Sequence, residues 1–179
     1  MIGVLVSGRG SNLQALLDAG LPVVAVASNR RDAPALDRAR AAGLPAAAFG
    51  LECHRGREER DLALAAWLEG HGVELVALAG YMHLLTRPFL DRFPERIVNV
   101  HPSLLPQFPG AHAIEDALAA GVAETGVTIH LVDEGLDTGP ILAQEPVPVE
   151  PRETLEERIH AVEHRLFPAV VRGLLGAAA

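Results

Sequence analysis

Residues 2–19 read IGVLVSGRGSNLQALLDA, and this stretch decides the fold. The apolar run 2–6 predicts a buried strand, and a glycine-rich turn leads from it into residues 12–19, where leucines recur at helical spacing. A buried strand followed at once by a helix is the repeating unit of parallel α/β folds. The pattern continues, with further strands predicted at 22–28, 46–49, 74–79 and 97–101, and helices at 34–42, 58–70 and 84–93, the last broken at Pro88.

The C-terminal part departs from this alternation. It predicts a helix at 114–120, strands at 125–132 and 141–149 with an acidic, glycine-containing loop between them, and a long closing helix at 152–175. Two strands joined by a loop predict a hairpin-like addition to the sheet. The expected fold is therefore α/β: a doubly wound, mostly parallel, Rossmann-like sheet with an added antiparallel strand near the C-terminus, in one domain over residues 1–179.

Composition excludes several classes of protein. With 179 residues, 49% hydrophobic and 21% charged, the chain is globular rather than disordered. A net charge of −8 argues against a nucleic-acid partner. All 15 basic residues are arginine, which excludes a Schiff-base or Walker A lysine, and the single Cys53 excludes an intrachain disulfide. No apolar stretch reaches membrane-spanning length, so we expect a soluble cytoplasmic protein without a membrane partner.

The turn after the first strand is a candidate phosphate site. Gly8, Gly10 and the following helix N-terminus offer backbone N–H groups to an anion. Leu13 stands where a dinucleotide fingerprint has its third glycine, and the second strand ends in Ser28-Asn29 rather than in an acidic residue. The turn therefore favours a phosphate over a dinucleotide, and an ordinary tight strand–helix turn is the alternative.

Asn99 and His101 are a candidate catalytic pair. Residues two apart in a strand project to the same side, and these two end a predicted strand at the edge where α/β sheets bind ligands. A histidine beside an amide is suited to proton transfer next to an oxyanion donor, although two polar residues also simply end many strands. The loop 133–140 carries three carboxylates that would orient a histidine, hold a cation or only face solvent.

The segment His160-Ala-Val-Glu163-His164 matches the inverted zinc-peptidase pattern on a predicted helix. Histidines four apart face one side, as zinc ligands require, but so short a motif often occurs by chance.

Taken together, four segments resemble the phosphoribosylglycinamide formyltransferases, the folate-dependent glycinamide ribonucleotide transformylases of purine synthesis. They are VLVSGRGSNLQALLDA (4–19), LAGYMHLL (78–85), VNVHPSLLPQFPGAH (98–112) and GVTIHLVDEGLDTGP (126–140). The resemblance implies that Asn99, His101 and Asp137 are catalytic, and that the ribonucleotide binds Gly10, Ser11, Asn12, His160 and Glu163. It implies a folate pocket along Arg57, Met82, His83, Leu84, Leu85, Asn99, Asp133, Glu134, Gly135, Leu136 and Asp137. His83 lies where better-known members carry arginine.

The resemblance also implies a mechanism. The amine of glycinamide ribonucleotide attacks the formyl carbon of 10-formyltetrahydrofolate, Asn99 and protonated His101 stabilise the tetrahedral intermediate, and Asp137 favours the imidazolium; no metal is needed. A branched side chain at Gly10 is expected to block the approach of the phosphate and to strain the turn. Formyltetrahydrofolate hydrolase, methionyl-tRNA formyltransferase and a non-catalytic nucleotide-binding module are the alternatives, and monomer and homodimer both stay open.

Overall fold

The computed structural model describes residues 1–176, which build one seven-stranded sheet with helices on both faces. The strands are β1 (Ile2–Val6), β2 (Val23–Ser28), β3 (Ala46–Ala48), β4 (Leu75–Leu78), β5 (Ile97–His101), β6 (Glu124–Leu131) and β7 (Ile141–Pro148). The helices are α1 (Ser11–Asp18), α2 (Pro34–Ala41), α3 (Arg57–Gly70), α4 (Arg87–Leu90), α5 (Ala113–Ala120) and α6 (Leu155–Gly176). Single 3₁₀ turns lie at Leu51–Cys53 and Arg152–Thr154.

The strand order is β3-β2-β1-β4-β5-β6-β7. The first five strands are parallel, whereas β6 runs antiparallel to both β5 and β7. This confirms the predicted doubly wound sheet with an added antiparallel strand. The chain builds outward from β1 to β3 and then returns to place β4 on the other side of β1. A crevice opens at such a reversal, at the carboxyl ends of the strands.

Alternating side chains divide the core between the two faces of the sheet. In β1, Val4 and Val6 pack with α1, α2 and α6 on one face, and Leu5 packs with α3 and α4 on the other. In β5, Val98 and Val100 belong to the first face. Asn99 and His101 therefore share the second face with Ile97, as the period of two predicts.

One predicted helix is much shorter than expected. Only Arg87–Leu90 of the segment 84–93 is helical. Pro88 lies in the first turn of α4, where its missing N–H costs no hydrogen bond, so the proline begins this helix instead of breaking it. The residues before it are freed to line the crevice. Within residues 1–176, no helix combines the length and the apolar character that crossing a membrane requires.

Candidate functional site

A cleft of about 650 Å³ lies at the carboxyl ends of β1, β4 and β5, at the reversal of strand order. It brings together most of the residues singled out from the sequence: Gly10, Ser11, Asn12, Met82, His83, Leu84, Leu85, Asn99, His101, Asp133, Gly135, Leu136, Asp137, His160 and Glu163. Arg57 and Glu134 do not line it. Glu134 is exposed and pairs with Arg87, and Arg57 is exposed in the first turn of α3.

The candidate catalytic cluster, which we define as Asn99, His101 and Asp137, occupies one side of the cleft. Asn99 Nδ2 lies 3.5 Å from Asp137 Oδ1, and His101 Nδ1 lies 3.5 Å from Asp137 Oδ2. His101 Nε2 is 2.8 Å from the carbonyl oxygen of Phe108. Each ring nitrogen of His101 therefore faces an oxygen that can accept a hydrogen bond.

Asp137 is held by the main chain. The backbone N–H of Gly110 donates to Oδ2 at 2.8 Å, and Asp137 itself adopts the left-handed conformation, with φ of 54°. Burial raises the pKa of its carboxyl, but His130, the Gly110 N–H and His101 outweigh burial and hold that pKa below its usual range. The cluster therefore contains an anion fixed beside a histidine.

His130 is a member of the site that the sequence did not reveal. It lies on β6 directly opposite Asn99 on β5, and its Nε2 is 3.1 Å from Asn99 Nδ2 and 3.6 Å from Asp137 Oδ1. Its Nδ1 is 2.8 Å from the carbonyl oxygen of Leu131, which requires a proton on Nδ1. The antiparallel register of β5 and β6 brings the two residues together, and no local pattern in the sequence encodes that register.

The turn after β1 forms the other end of the cleft. Gly10 has φ of +78°, and its carbonyl oxygen accepts the first hydrogen bond of α1, from the N–H of Gln14. A Cβ at Gly10 would lie 2.6 Å from Ala35 Cβ on α2. A side chain at Gly10 would therefore strain the turn, as expected, because its Cβ collides with α2 behind the turn.

Glu163 closes this end from α6. Its Oε2 accepts a hydrogen bond from Asn12 Nδ2 at 3.0 Å, and its side chain is almost fully buried. Burial raises the pKa of the Glu163 carboxyl, while Asn12 and His160 act in the opposite direction without cancelling the rise. A carboxyl of this kind offers a ligand either a proton or an acceptor at the floor of the cleft.

The two histidines of the 160–164 motif do not converge on one point. Their rings stack with centroids 6.1 Å apart and planes 15° apart; His160 lines the cleft, and His164 lines a separate hollow beside α1. Residues 1–176 contain no group of three or more histidine, cysteine or acidic side chains placed to hold a metal ion. Glu163 is engaged with Asn12, and together with His160 it lines the cleft.

The third part of the cleft is apolar and open. Met82, Leu84 and Leu136 are 61%, 49% and 49% exposed, although large apolar side chains usually lie in the core. Leu85 beside them is buried. Exposed apolar side chains that rim a cleft are typical of a site for a flat, apolar ligand.

A chain of polar contacts runs under this region. Buried Arg60 contacts His83, with Nη1 2.6 Å from Nδ1, and His83 Nε2 is 3.2 Å from Asn29 Nδ2. Asn29 Oδ1 is in turn 2.5 Å from Ser7 Oγ. The sequence did not single out Arg60, because an arginine in a charged helix is an ordinary feature. Ser7 belongs to the turn predicted to bind a phosphate, and Asn29 was noted only as the non-acidic end of the second strand; their contact with each other was not predicted.

Comparison with known proteins gives a consistent result. The family model described as formyl transferase matches residues 1–171. The chain is 48% identical to phosphoribosylglycinamide formyltransferase from Mycobacterium tuberculosis (strain CDC 1551 / Oshkosh), with 96% of this chain and 83% of that protein covered. The crystal structure of phosphoribosylglycinamide formyltransferase from Bacillus halodurans superimposes with a TM-score of 0.95 at 40% identity, with 99% of this chain and 96% of that chain covered.

Longer proteins also contain a region similar to this chain. The trifunctional purine biosynthetic protein adenosine-3 of Drosophila pseudoobscura pseudoobscura is 45% identical over 178 residues, which cover 93% of this chain. The chain spans only 13% of the length of that fly protein. The similarity to the trifunctional protein is thus confined to one segment of it.

Proposed function

The chain belongs to the formyl transferase family, and on that premise we propose that it transfers a formyl group from 10-formyltetrahydrofolate to the amine of glycinamide ribonucleotide, a step of de novo purine synthesis. The observation that carries the proposal is the candidate catalytic cluster, in which Asn99 and His101 each lie 3.5 Å from Asp137 on one side of the cleft. The glycine turn at one end of the cleft suits the phosphate of the ribonucleotide, and the apolar rim suits the ring system of the folate.

The reaction requires stabilisation of a developing negative charge. The amine nitrogen forms a bond to the formyl carbon, and the carbonyl electrons move onto the formyl oxygen. Asn99 Nδ2 carries two hydrogens, one directed at His130 Nε2 and the other at Asp137 Oδ1, 3.5 Å away. The second of these contacts is long, and in the reaction the developing oxyanion takes the place of Asp137 as its acceptor. Protonated His101 is the second donor, once its hydrogen bond to the Phe108 carbonyl opens; such contacts often rearrange only when substrate binds.

Collapse of the intermediate completes the transfer. The bond between the formyl carbon and N10 of the folate breaks, the electron pair goes to N10, and a proton must leave the attacking nitrogen and reach N10. His101, or a water held by it, moves that proton. Asp137 keeps the imidazolium favourable and oriented, because its carboxylate is ionised and lies beside Nδ1. No step of the proposed reaction uses a metal ion.

The ribonucleotide occupies the end of the cleft formed by Gly10, Ser11 and Asn12. Backbone N–H groups at the start of α1 bind its phosphate, and His160 and Glu163 on α6 contact the sugar or the glycinamide. Its amine is then directed toward the catalytic cluster.

The folate occupies the apolar side. Met82, Leu84, Leu85 and Leu136 contact its ring system, and the loop containing Asp133, Glu134 and Gly135 borders it. Asn99 and Asp137 face its reacting end. Arg57 lies near enough to His83 for its charge to lower the pKa of that histidine, so an extended folate leaving the cleft past His83 meets a cation there.

An absorbance assay with both substrates tests the proposal. Wild-type protein is expected to consume 10-formyltetrahydrofolate only when glycinamide ribonucleotide is present. Equal turnover without the amine would instead identify a hydrolase, and no turnover in either mixture would leave the binding-module alternative.

A further inference from the structure

Arg60 is a fully buried cation beside the folate end of the cleft. Its Nε and Nη2 lie 2.7 Å and 2.6 Å from Asp61 Oδ1, and both side chains are 0% exposed. Asp61 is anchored in turn, because its Oδ2 accepts the backbone N–H of Thr86 at 2.7 Å. The ion pair is thus rigid, and the remaining nitrogen, Nη1, is directed at His83 Nδ1, 2.6 Å away.

This contact determines the tautomer of His83. A guanidinium only donates hydrogen bonds, so Nδ1 must accept and the ring proton must be on Nε2. Burial lowers the pKa of His83, and the charges of Arg60 and Arg57 lower it further against the opposing effect of Asp61. The ring is therefore neutral near pH 7, with Nε2–H directed toward Asn29.

The tautomer determines the orientation of the Asn29 amide. An Nε2–H group needs an acceptor, and the position 3.2 Å from it is occupied by one of the two terminal atoms of Asn29. The amide oxygen and nitrogen exchange places by a half-turn of the side chain and are distinguished only by their partners. Oxygen therefore belongs on the His83 side, and the NH₂ group belongs on the side of Ser7 Oγ.

With the Asn29 amide in this orientation, the Ser7 hydroxyl can act toward a ligand only as a hydrogen-bond donor. Its oxygen accepts from the Asn29 NH₂ group and from the backbone N–H of Met82, which lies 2.8 Å away, so both lone pairs are used. Its own hydrogen has no partner among these groups. Ser7 lines the cleft next to the turn containing Gly8 and Gly10, so this hydrogen is available to an acceptor bound there.

We propose that Arg60 is a positioning residue which, through His83 and Asn29, sets the direction of the hydrogen bonds along the cleft so that the Ser7 hydroxyl donates to an oxygen of the bound ribonucleotide. The inference rests on the proposed function for the identity of that ligand. It also explains why His83 carries no free polar atom toward the folate: Arg60 and Asn29 occupy both of its ring nitrogens.

The first test observes the tautomer directly and needs no turnover. ¹⁵N NMR of histidine-labelled protein at pH 7 is expected to show His83, assigned by the loss of its signals in His83→Gln, as a neutral ring protonated on Nε2. A ring protonated on Nδ1, or an imidazolium, would overturn the proposal. Arg60→Met is expected to shift the ring toward a mixture of tautomers, whereas Arg92→Met, at an exposed ion pair, should leave it unchanged.

The second test is a double-mutant cycle on steady-state kinetics. Ser7→Ala removes the donor, and Asn29→Asp, which has two acceptor oxygens, draws the Ser7 hydrogen back toward residue 29. Each is expected to raise the KM for the ribonucleotide about tenfold, the effect of losing one hydrogen bond to a charged or polar ligand. The folate KM and kcat should change less than about twofold, because the lost contact is remote from the reacting carbon.

The double variant decides between mechanisms. If both changes remove the same donor, Ser7→Ala with Asn29→Asp is no worse than either alone. If the KM increases of the two single variants multiply in the double variant, Asn29→Asp acts by charge repulsion. If the KM of Ser7→Ala is unchanged, Ser7 contacts no ligand. Either result overturns the proposal. Because Asn29→Asp is nearly isosteric, the cycle stays informative if Arg60→Met does not fold. A wild-type protein without formyl transfer would refute the proposed function while the NMR result stood.

Discussion

The backbone N–H of Gly110 donates to Asp137 Oδ2 at 2.8 Å, so the position of this carboxylate does not depend on His101. The same oxygen lies 3.5 Å from His101 Nδ1. Removing the imidazole therefore leaves the anion in place, and removing the anion leaves the imidazole on its strand. Substitutions at His101 and at Asp137 can therefore test the proposed role of each side chain separately.

His101→Ala is expected to lower kcat by about two to four orders of magnitude, the range for loss of a general acid–base group. The KM for the folate should change little, because the apolar rim is untouched. Steady-state kinetics with the folate varied measures both. His71→Ala is the matched control, since His71 follows α3 and precedes β4 at the opposite edge of the sheet. Wild-type turnover in His101→Ala would remove His101 from the mechanism.

Asp137→Asn is expected to lower kcat about a hundredfold or more while the protein stays folded, because an amide does not favour the imidazolium. Asparagine tolerates the left-handed backbone at this position. The pH dependence of kcat should also shift in this variant relative to the wild type. Asp116→Asn, in the exposed first turn of α5, is the control.

The same variant tests the lowered pKa of Asp137. A carboxyl with a depressed folded-state pKa adds stability above its unfolded-state pKa and loses it as pH falls through the folded-state value. Denaturation curves from neutral to acidic pH should therefore fall more steeply for the wild type than for Asp137→Asn. Parallel curves would contradict the assigned pKa direction.

Two glycines of the first turn are expected to respond differently to alanine. At Gly10 the added Cβ meets Ala35 and the backbone has positive φ, so Gly10→Ala should cost about 1–3 kcal/mol of unfolding free energy. At Gly8 the Cβ has no neighbour within 4 Å, so Gly8→Ala should leave the Tm nearly unchanged and raise the ribonucleotide KM, because it occupies space in the cleft. Thermal unfolding and kinetics of both variants separate the effects; equal Tm losses would refute this distinction.

Glu163→Gln is expected to make stability less dependent on pH. A carboxyl whose folded-state pKa is raised contributes stability below its unfolded-state pKa, and that contribution is lost as pH rises through the folded-state value. The stability of the variant relative to the wild type should thus increase from pH 4 to pH 8. Urea denaturation across this range measures it, with Glu157→Gln, exposed on the same helix, as the control. A constant difference between the curves would show that the pKa of Glu163 is the same in the folded and the unfolded state.

Local sequence patterns account for much of the fold. Apolar runs located the strands within about two residues at either end, and the period of two correctly placed Asn99 and His101 on one face of β5. The partnership of Asn99 with His130 depends on strand register between segments 31 residues apart, which no local pattern carries. Arg60 resembled a solvated helix residue, and only its pairing with Asp61 and His83 allows it to be buried.

The hydrogen bond between Asn12 and Glu163 joins residues 151 positions apart. During synthesis, β1, β4 and β5 exist long before α6 is made, so the ribonucleotide end of the cleft is completed only when the last helix docks. A ligand that touches both α1 and α6 therefore binds the finished chain alone, and its binding free energy opposes the undocking of α6. If the ribonucleotide binds as proposed, it therefore acts as a clamp between the first and the last helix, and its addition is expected to slow proteolytic cleavage of α6.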